Sequence, residues 1–298
     1  MNSIFVLVLA AGLGRRFGSL KQLAAFGPGK HTILEYSLFD AHRLGFRRAV
    51  CVIQEIHKKF FNELLAPLME LMEIEFAYQR LDDVPAGISN FHRTKPWGTA
   101  HAVYSARSHL RAPFITINAD DFYGQRAWEQ MANFIQKTPS KNALLAFRLD
   151  RTLSSSGPVA RGICSVDENH LMRIEEFSNI TRSNGSIRAQ NPERQFVGNE
   201  PTSLNFWYLQ PKILQKMDFK HFFTNNQDLT EAEWMLPIVI QNLLDERKID
   251  VTVVNTQSHW TGITYPSDTK RVIHHIEDAI RSGAYPEVLW RKRTVSHL

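Results

Sequence analysis

The chain has 298 residues, of which 43% are hydrophobic and 22% are charged. This ordinary globular composition argues against a disordered, collagen-like or repeat protein. The net charge is only +5 and no run of five basic residues occurs, so neither nucleic acid nor a membrane surface is an expected partner. A mild cationic excess suits an anionic small-molecule ligand.

The amino-terminal apolar run does not have the pattern of a secretory signal. It extends over residues 4–11, has no basic residue before it, and leads directly into a glycine-rich turn. No apolar run is long enough to span a membrane. Cys51 and Cys164 lie in apolar runs without zinc-site spacing, so we expect buried thiols in a reducing compartment. The expected location is the cytoplasm.

Short apolar runs alternate with helical patterns in the first half, which is typical of a parallel sheet with crossover helices. Strands are predicted at residues 4–10, 49–53, 74–79 and 114–118. Thr32 and Glu35 have the spacing of a capping box, and Gly45 ends the helix that follows them. Further helices are predicted at residues 58–65 and 99–109.

The second half has a different pattern, with strand candidates separated by polar stretches. These candidates are residues 163–166, 171–177, 204–209 and 251–254. Apolar helical stripes occur at residues 236–244 and 272–280, and Gly283 can cap the second helix. The chain is therefore predicted to be an α/β protein, with a Rossmann-like mixed sheet flanked by helices and a β-rich lobe. One continuous domain over residues 1–298 is expected.

The turn after the first strand is rich in glycines and cations, in the sequence LAAGLGRRFG. Gly12 and Gly14 allow a ligand to approach the backbone, and successive amides in such a loop form an anion nest. With Arg15, Arg16 and Lys21 nearby, phosphate is the expected ligand. The spacing matches neither the dinucleotide fingerprint nor a P-loop. A tight turn with solvated arginines explains this segment equally well.

A pair of carboxylates follows a later strand, in the sequence INADDFYG. Ligands bind at the carboxyl ends of strands in open α/β sheets, and Mg²⁺ takes one or two protein carboxylates beside substrate phosphates. Asp120 is therefore a candidate Mg²⁺ ligand. For Asp121, a cap on the following helix is as good an interpretation as metal binding.

A helix start is predicted in the sequence PWGTAHAV. Gly98 and Thr99 would present unpaired amides and a hydroxyl to a ligand at that point. Taken alone, a plain helix start explains this segment.

Taken together and in this order, the three segments resemble the nucleotidyltransferase family typified by sugar-1-phosphate nucleotidylyltransferases. LAAGLGRRFGSLKQL resembles that family's G-x-G-x-R…K signature, INADDFYG its metal-binding strand end, and PWGTAHAV its base-binding helix start. The resemblance covers essentially the whole chain and implies a GT-A-like nucleotidyltransferase fold. It implies a nucleotide-binding part at residues 1–150, an acceptor-binding part at residues 151–262 and a helical segment at residues 263–298.

The resemblance also implies roles for individual residues. The implied catalytic residues are Arg16, Lys21 and Asp120. The implied nucleotide-binding residues are Ala10, Ala11, Gly12, Gly14, Arg15, Gln79, Gly98 and Thr99. The implied acceptor-binding residues are Gly162, Glu176 and Asn205, and the implied Mg²⁺ ligands are Asp120 and Asp121.

The chain departs from the family pattern at several positions. Leu20 precedes Lys21 where the family usually has proline, and Phe177 occupies the place of a lysine that often follows the matched glutamate. Gly262 stands where a second metal-binding aspartate is expected, and Asp268 is the nearest carboxylate beyond it. Residues 81–96 form an unusually long connection before the GTA stretch and are a candidate lid.

The expected activity is transfer of a nucleoside monophosphate from a nucleoside triphosphate to a sugar 1-phosphate, with release of pyrophosphate. The partners are then the triphosphate and a phosphorylated small-molecule acceptor, and a homo-oligomer is expected no more than a monomer. UTP or dTTP is preferred on family prevalence, with CTP open. The alternatives are a phosphocholine-type cytidylyltransferase, a GT-A glycosyltransferase and a catalytically silent nucleotide-sugar-binding module.

Overall fold

The computed structural model describes residues 1–12, 25–88, 93–183, 185–226, 228–263 and 265–290. The strands in these ranges are β1 (Phe5–Leu9), β2 (Ala25–Phe26), β3 (His31–Thr32), β4 (Arg48–Ile53), β5 (Glu73–Tyr78), β6 (Phe114–Asn118), β7 (Asp121–Phe122), β8 (Asn142–Arg148), β9 (Val159–Asp167), β10 (His170–Ser183), β11 (Ser186–Gln190), β12 (Glu193–Phe196), β13 (Pro201–Leu209), β14 (Val251–Asn255) and β15 (Thr261–Gly262). The α-helices are α1 (Ile33–Arg43), α2 (Lys58–Met69), α3 (Thr99–Ser105), α4 (Gln125–Lys137), α5 (Ile213–Lys216), α6 (Phe219–Asn225), α7 (Leu236–Asp245) and α8 (Thr269–Arg281).

One mixed sheet organises the fold. Its strands lie in the order β12-β11-β10-β14-β8-β13-β6-β1-β4-β5, and β9 pairs with both β10 and β13. The strands β6, β1, β4 and β5 are parallel to one another, whereas β13 runs antiparallel to β6 and to β8. This mixed sheet with flanking helices confirms the predicted fold class.

Strand β1 is buried on both faces of the sheet, which explains its continuous apolar sequence. Val6 and Val8 belong to the core formed with α1, α2, α4 and α8. Phe5 and Leu7 belong to the opposite core, formed with α3 and α7. Each fully buried side chain of this kind contributes about 1.5–3 kcal/mol relative to an exposed one. Hydrophobic burial on both faces therefore holds β1 in the middle of the sheet.

Most of the predicted elements are present with small shifts in their ends. The capping box is confirmed, because the Thr32 hydroxyl accepts from the Glu35 amide and the Glu35 carboxylate accepts from the Thr32 amide at 2.7 Å. Gly45 follows the end of α1 with a φ of +91°. Cys51 and Cys164 are buried free thiols, as expected. In the described ranges, no helix has both the length and the apolar character to cross a membrane.

The β-rich lobe is more extensive than the sequence predicts. Strands β9 and β10 pair antiparallel over nearly their whole length, and β11 and β12 continue from β10 as a meander. The sequence pattern predicted these strands too short. At their outer ends, exposed polar side chains alternate with side chains that pack in a small separate core. Phe177 packs in that core, so this departure from the family pattern places an aromatic ring where a cation is usual.

The carboxy-terminal segment is tied to α1 by buried polar contacts. Asp40 is 1% exposed, forms an ion pair with Arg43, and accepts a hydrogen bond from the Tyr285 hydroxyl at 2.6 Å. Glu35 accepts a second hydrogen bond of this kind from the Trp290 indole at 3.1 Å. Tyr285 and Trp290 lie beyond the end of α8, so these contacts hold the residues after α8 against α1.

We predict that Asp40 makes the free energy of unfolding depend on pH. Burial raises the pKa of Asp40 to about 7, and Arg43 opposes this rise only in part. An unfolded aspartate titrates near pH 3.9, so between these values the folded chain holds a proton that the unfolded chain has lost. The contribution of Asp40 to stability therefore falls as the pH rises through this window.

Asp40→Asn, which cannot ionise, should gain stability relative to the native chain by up to about 1.4 kcal/mol per pH unit across that window. Urea denaturation at a series of pH values measures this difference, and Asp278→Asn on the exposed face of α8 controls for loss of a surface carboxylate. A difference between Asp40→Asn and the native chain that does not vary with pH would contradict the prediction.

Candidate active site

The carboxyl ends of the parallel strands form the edge at which most of the predicted site residues meet. Leu9, the last residue of β1, pairs with Val52 of β4 and with Asn118 of β6. The chain then continues through Ala10 and Ala11, which are buried, to Gly12, and no atom of the described residues lies within 4 Å of the position that a Cβ would take there. The backbone at this point can therefore be approached closely by a ligand.

The side chain of Gln54, just beyond β4, holds the start of the glycine-rich turn. Its amide nitrogen donates to the Ala11 carbonyl at 3.0 Å. The residues predicted to follow in the anion nest, Gly14, Arg15, Arg16 and Lys21, lie outside the described residues. Their positions remain predictions from the sequence.

Gly98 and Thr99 begin helix α3, as predicted, at a very close approach to the chain before α7. Gly98 has a φ of +103°, and a Cβ there would lie 2.6 Å from the Trp234 carbonyl oxygen. That carbonyl accepts from the Ala100 amide at 2.9 Å, and the Thr99 hydroxyl accepts from the Leu236 amide at 2.9 Å. Glycine is thus required by sterics, and the Thr99 hydroxyl is engaged in joining α3 to α7.

Gln79 lies at the end of β5 and faces the start of α3. Its side-chain nitrogen donates to the Gly98 carbonyl at 2.9 Å and lies 3.2 Å from Nδ1 of His101. Gln79 and His101 are both buried. The structure thus brings Gln79, Gly98 and Thr99 together, one strand beyond β4 and two beyond the glycine-rich turn.

The two aspartates after β6 have different environments. Asp120 is partly exposed in the turn that follows the strand, whereas Asp121 is 7% exposed and begins β7. Asp121 accepts hydrogen bonds from the Asn118 side-chain amide at 2.7 Å and from the Tyr123 hydroxyl at 3.4 Å. The helix-cap interpretation of Asp121 is wrong, because the N-cap of α4 is Gly124.

Burial raises the pKa of Asp121 to about 7, and the neighbouring charge of Asp120 adds to this rise. Gly262, at the position where a second metal-binding aspartate was expected, pairs with Asp121 across β7 and β15. A Cβ at Gly262 would lie 2.6 Å from Asp121 Oδ1 and closer still to the Trp260 ring. Only glycine fits here, so the missing aspartate is a consequence of this local packing.

Asp268, the next carboxylate along the chain, has a structural environment. It is 2% exposed and accepts hydrogen bonds from the hydroxyls of Ser154 and Ser156 at 2.8 and 3.2 Å and from the Tyr265 amide at 2.8 Å. These contacts tie the start of α8 to the loop before β9. Asp268 therefore does not replace the aspartate that is absent at Gly262.

The predicted acceptor residues come from three adjacent strands. Gly162 of β9 pairs with Glu176 of β10 on one side and with Ser203 of β13 on the other. A Cβ at Gly162 would lie 3.0 Å from Glu176 Oε1, so glycine leaves room for this carboxylate. Burial raises the pKa of Glu176 to about 7, with Arg161 acting in the opposite direction.

Asn205 joins this group to the strand that carries the aspartates. It has a φ of +59° within an irregular stretch of β13, and its side-chain nitrogen donates to Asn118 Oδ1 at 3.2 Å. Its own Oδ1 is buried without a hydrogen-bond partner among the described residues. A buried acceptor of this kind is ready to bind a cation or a hydroxyl donor.

Arg161 is the main residue of the site that the sequence analysis missed. It is 9% exposed, its guanidinium lies 4.6 Å from the centre of the Trp260 ring, and its charge acts on both Asp121 and Glu176. Burial lowers its pKa to about 10. The only signal in the sequence was its position directly before Gly162, since a single arginine in a strand otherwise has no distinctive pattern.

The candidate lid is attached to the scaffold at both ends. The carbonyl of Leu81 accepts from the Trp97 indole at 3.0 Å, and the carbonyl of Asp83 lies 2.9 Å from Nε2 of His101. Arg93 lies over the Trp97 ring at 4.2 Å and donates to the Leu229 carbonyl at 2.9 Å. In the described parts of residues 81–96, these contacts hold the connection against α3 and the chain before α7.

The close contact at Gly98 predicts an asymmetric effect of two glycine substitutions. Gly87 has a φ of +88°, similar to that of Gly98, but no atom of the described part of the chain lies within 4 Å of where its Cβ would be. Both alanine variants bear the left-handed backbone strain, whereas only Gly98→Ala also forces a Cβ against the Trp234 backbone. We expect Gly98→Ala to lower the free energy of unfolding by about 1–3 kcal/mol more than Gly87→Ala. Urea denaturation of both variants measures the difference, and equal losses would contradict the close approach.

Solved structures of known function share this fold. The inositol-1-phosphate CTP transferase from T. maritima is 14% identical, with a TM-score of 0.65 over 95% of this chain and 98% of that one. A UDP-glucose pyrophosphorylase complexed with UDP-glucose is 13% identical, with a TM-score of 0.61 over 93% and 99% of the two chains. At these identities the likeness establishes the fold alone. No curated protein sequence matches the chain significantly.

The family model described as nucleotidyl transferase matches residues 5–260. This match extends from β1 through the carboxylate turn and the β-rich lobe to the approach to β15, and so includes every residue of the site described above except Gly262 and Asp268. The chain belongs to the nucleotidyl transferase family.

Proposed function

We propose that the protein transfers a nucleoside monophosphate from a nucleoside triphosphate to a sugar 1-phosphate, releasing pyrophosphate in a Mg²⁺-dependent reaction. One observation carries the proposal. Three segments follow the carboxyl ends of neighbouring parallel strands: the glycine-rich turn after β1, Gln79 after β5, and Asp120 after β6. On the lobe side, Arg161 interacts electrostatically with both Glu176 and Asp121. A triphosphate and a second phosphorylated ligand could meet at this edge.

The amides of residues 12–16 would hold the triphosphate, and Gln79 with Gly98 would contact its base. Support comes from Gly12, where no atom of the described residues would meet a Cβ, and from the hydrogen bond that holds Gln79 against the start of α3. Phosphates suit such a turn because unpaired amides and nearby cations both stabilise negative charge.

The reaction would proceed by in-line attack of an acceptor phosphate oxygen on the α-phosphorus. A bond forms between that oxygen and the α-phosphorus, and the bond from the α-phosphorus to the bridging oxygen of pyrophosphate breaks. No covalent bond to the protein is needed, so catalysis rests on positioning and charge neutralisation. In this proposal Arg16 neutralises charge on the leaving pyrophosphate, and Lys21 contacts the α-phosphate and the incoming phosphate.

The residues around Asp120 fit a magnesium ion. Asp120 offers a partly exposed carboxylate, and the unpartnered Oδ1 of Asn205 lies on a side chain that contacts Asn118 at the end of the same strand. Mg²⁺ binds oxygen ligands and usually takes one or two carboxylates together with substrate phosphates. Asp120 would hold it, with Asp121 behind, and the ion would supply charge neutralisation on the triphosphate. The described residues contain no cluster of three acidic, histidine or cysteine side chains, so most of the ligands would come from substrate and water.

The acceptor would lie beside Gly162, Glu176 and Asn205. A carboxylate accepts hydrogen bonds from the hydroxyl groups of a sugar, and this supports a sugar 1-phosphate over phosphocholine, which lacks hydroxyls. An inositol phosphate satisfies the same chemistry, and the T. maritima structure is an inositol-1-phosphate CTP transferase. Phosphorylated polyols therefore remain the second candidate acceptor.

We predict that Asp120→Ala and Lys21→Ala each lower turnover by a factor of roughly 10²–10³ or more, the scale seen when one charge-stabilising group is lost. Both chains should still unfold cooperatively, because each substitution removes a charged side chain and leaves the apolar side chains of the sheet in place. Pyrophosphate release with Mg²⁺ measures turnover, with each common triphosphate tested against sugar 1-phosphates, inositol phosphate and phosphocholine.

The same assay, together with a triphosphate-binding measurement and a test of nucleotide sugars as donors, separates the alternative functions. Near-normal activity of Asp120→Ala or Lys21→Ala would remove that residue from the mechanism. Triphosphate binding without pyrophosphate release by any acceptor would indicate a silent binding module, and hydrolysis or transfer from a nucleotide sugar would indicate a glycosyltransferase.

A further prediction concerns Glu176 and pH. With a pKa of about 7, this carboxyl becomes a full hydrogen-bond acceptor only above neutrality, so kcat/KM for the acceptor should rise through pH 7. Glu176→Gln should lose that rise, while the titration of the acceptor phosphate near pH 6 persists in both profiles. Glu175→Gln is the comparison variant, because Glu175 is the neighbouring carboxylate on β10 and pairs with Arg173 at 2.9 Å. Unchanged profiles for Glu176→Gln would exclude contact between this carboxylate and the acceptor.

A further inference from the structure

The orientation of the Gln79 side chain is determined by a buried histidine. His101 is fully buried in α3, and its Nε2 lies 2.9 Å from the Asp83 carbonyl oxygen. A carbonyl oxygen only accepts hydrogen bonds, so Nε2 must carry a proton. Burial lowers the pKa of His101, which favours the neutral ring. Its other nitrogen, Nδ1, is therefore an acceptor.

Two acceptors consequently face the Gln79 carboxamide. Nδ1 of His101 lies 3.2 Å from the side-chain nitrogen of Gln79, and the Gly98 carbonyl oxygen lies 2.9 Å from that same nitrogen. Reversing the carboxamide would set its oxygen against both acceptors and leave its two N–H groups unpaired. The Ser105 hydroxyl, 3.3 Å from Nδ1, donates to the His101 carbonyl and does not change this assignment.

Both N–H groups of Gln79 are used in these contacts. The atom through which Gln79 can contact a ligand is then Oε1, which only accepts. The Gln79 carboxamide therefore cannot both donate a hydrogen bond to a base and accept one from it. A base that brings an N–H group to this point gains a hydrogen bond, and a base that brings a ring nitrogen lone pair is repelled.

We propose that His101 is a positioning residue for base selection: by holding Gln79 with Oε1 towards the nucleotide, it selects uracil or thymine, whose N3 carries a proton, over cytosine, whose N3 carries a lone pair. This inference rests on the proposed function, since it takes the Gln79–Gly98 region as the base site. His101 itself does not touch the base. Base selection would also depend on Asp83 of the 81–96 connection, because its carbonyl determines which ring nitrogen of His101 carries the proton.

The test is the ratio of dissociation constants for UTP and CTP, measured by calorimetry with Mg²⁺ and no acceptor. The native chain should prefer UTP by roughly tenfold or more, the effect of one buried acceptor facing a lone pair instead of a donor. His101→Leu should bring the ratio close to one. His101→Asn, whose side-chain oxygen can replace Nδ1 as the acceptor for Gln79, should retain most of the preference.

His109→Leu is the matched control. His109 lies just beyond α3 and pairs with Glu75 at the surface, so its loss should leave the ratio unchanged. A purely structural role of His101 would weaken UTP and CTP binding equally. Preference for CTP in the native chain, or an unchanged ratio in His101→Leu, would overturn the inference while leaving the proposed function in place. Failure of every triphosphate to bind would overturn both.

A second measurement does not depend on the folding of His101→Leu. Nitrogen NMR of histidine-labelled native protein reports which ring nitrogen is protonated, and the His101 signals are those missing from His101→Asn. The expected form is the neutral ring with its proton on Nε2. A proton on Nδ1, or a charged ring at pH 7.5, would reverse the Gln79 orientation and overturn the inference.

Discussion

The parallel pairing of β1 with β4 on one side and β6 on the other is the constraint on which the site depends. Leu9 lies level with Val52 and Asn118, so three segments far apart in the chain leave the sheet at one edge. Backbone hydrogen bonds set this alignment, and burial of β1 on both faces prevents it from slipping, since a shift of one residue would exchange its two apolar faces. Strand register therefore places the first residues of the glycine-rich turn, Gln54 and Asp120 at this edge, and the hydrogen bond from Gln54 to the Ala11 carbonyl adds to this placement.

Around that edge, close packing at three positions is possible only because the residue there is glycine. Gly98, Gly162 and Gly262 each stand where a Cβ would meet a neighbour at 3.0 Å or less: the Trp234 backbone, the Glu176 carboxylate, and Asp121 with Trp260. On the lobe side, Arg161 is buried and interacts electrostatically with both Asp121 and Glu176. Carboxyls with pKa values raised by burial and held beside one cation are typical of functional sites. Here they lie where the carboxyl-terminal edge of the parallel strands and the lobe come together.

How far the sequence predicts the site differs from residue to residue. Gly98 and Thr99 were expected to present unpaired groups to a ligand, and they do begin α3, but the Thr99 hydroxyl is engaged by the Leu236 amide, 137 positions away. Asp121 could not be distinguished from a helix cap, because both interpretations require only a carboxylate before a helix. Arg161 had no signal, since its importance comes from Trp260, Asp121 and Glu176, which lie in other parts of the chain. His101 appeared in the sequence analysis only as a residue of the predicted helix start, with no role assigned to it.

The sequence by itself determined the α/β class, the positions of the central strands, the capping box at Thr32 and Glu35, and the family resemblance, because periodicity, capping and short motifs depend on neighbouring residues. Only the tertiary structure decided which side chains face one another: that Gly262 must be glycine beside Asp121, that Arg161 joins the acidic cluster, and that Asp83 and His101 orient Gln79. These relations depend on strand register and on contacts between distant segments. Burial then alters the ionisation of Asp40, Asp121 and Glu176, and no local pattern encodes the burial of a charge.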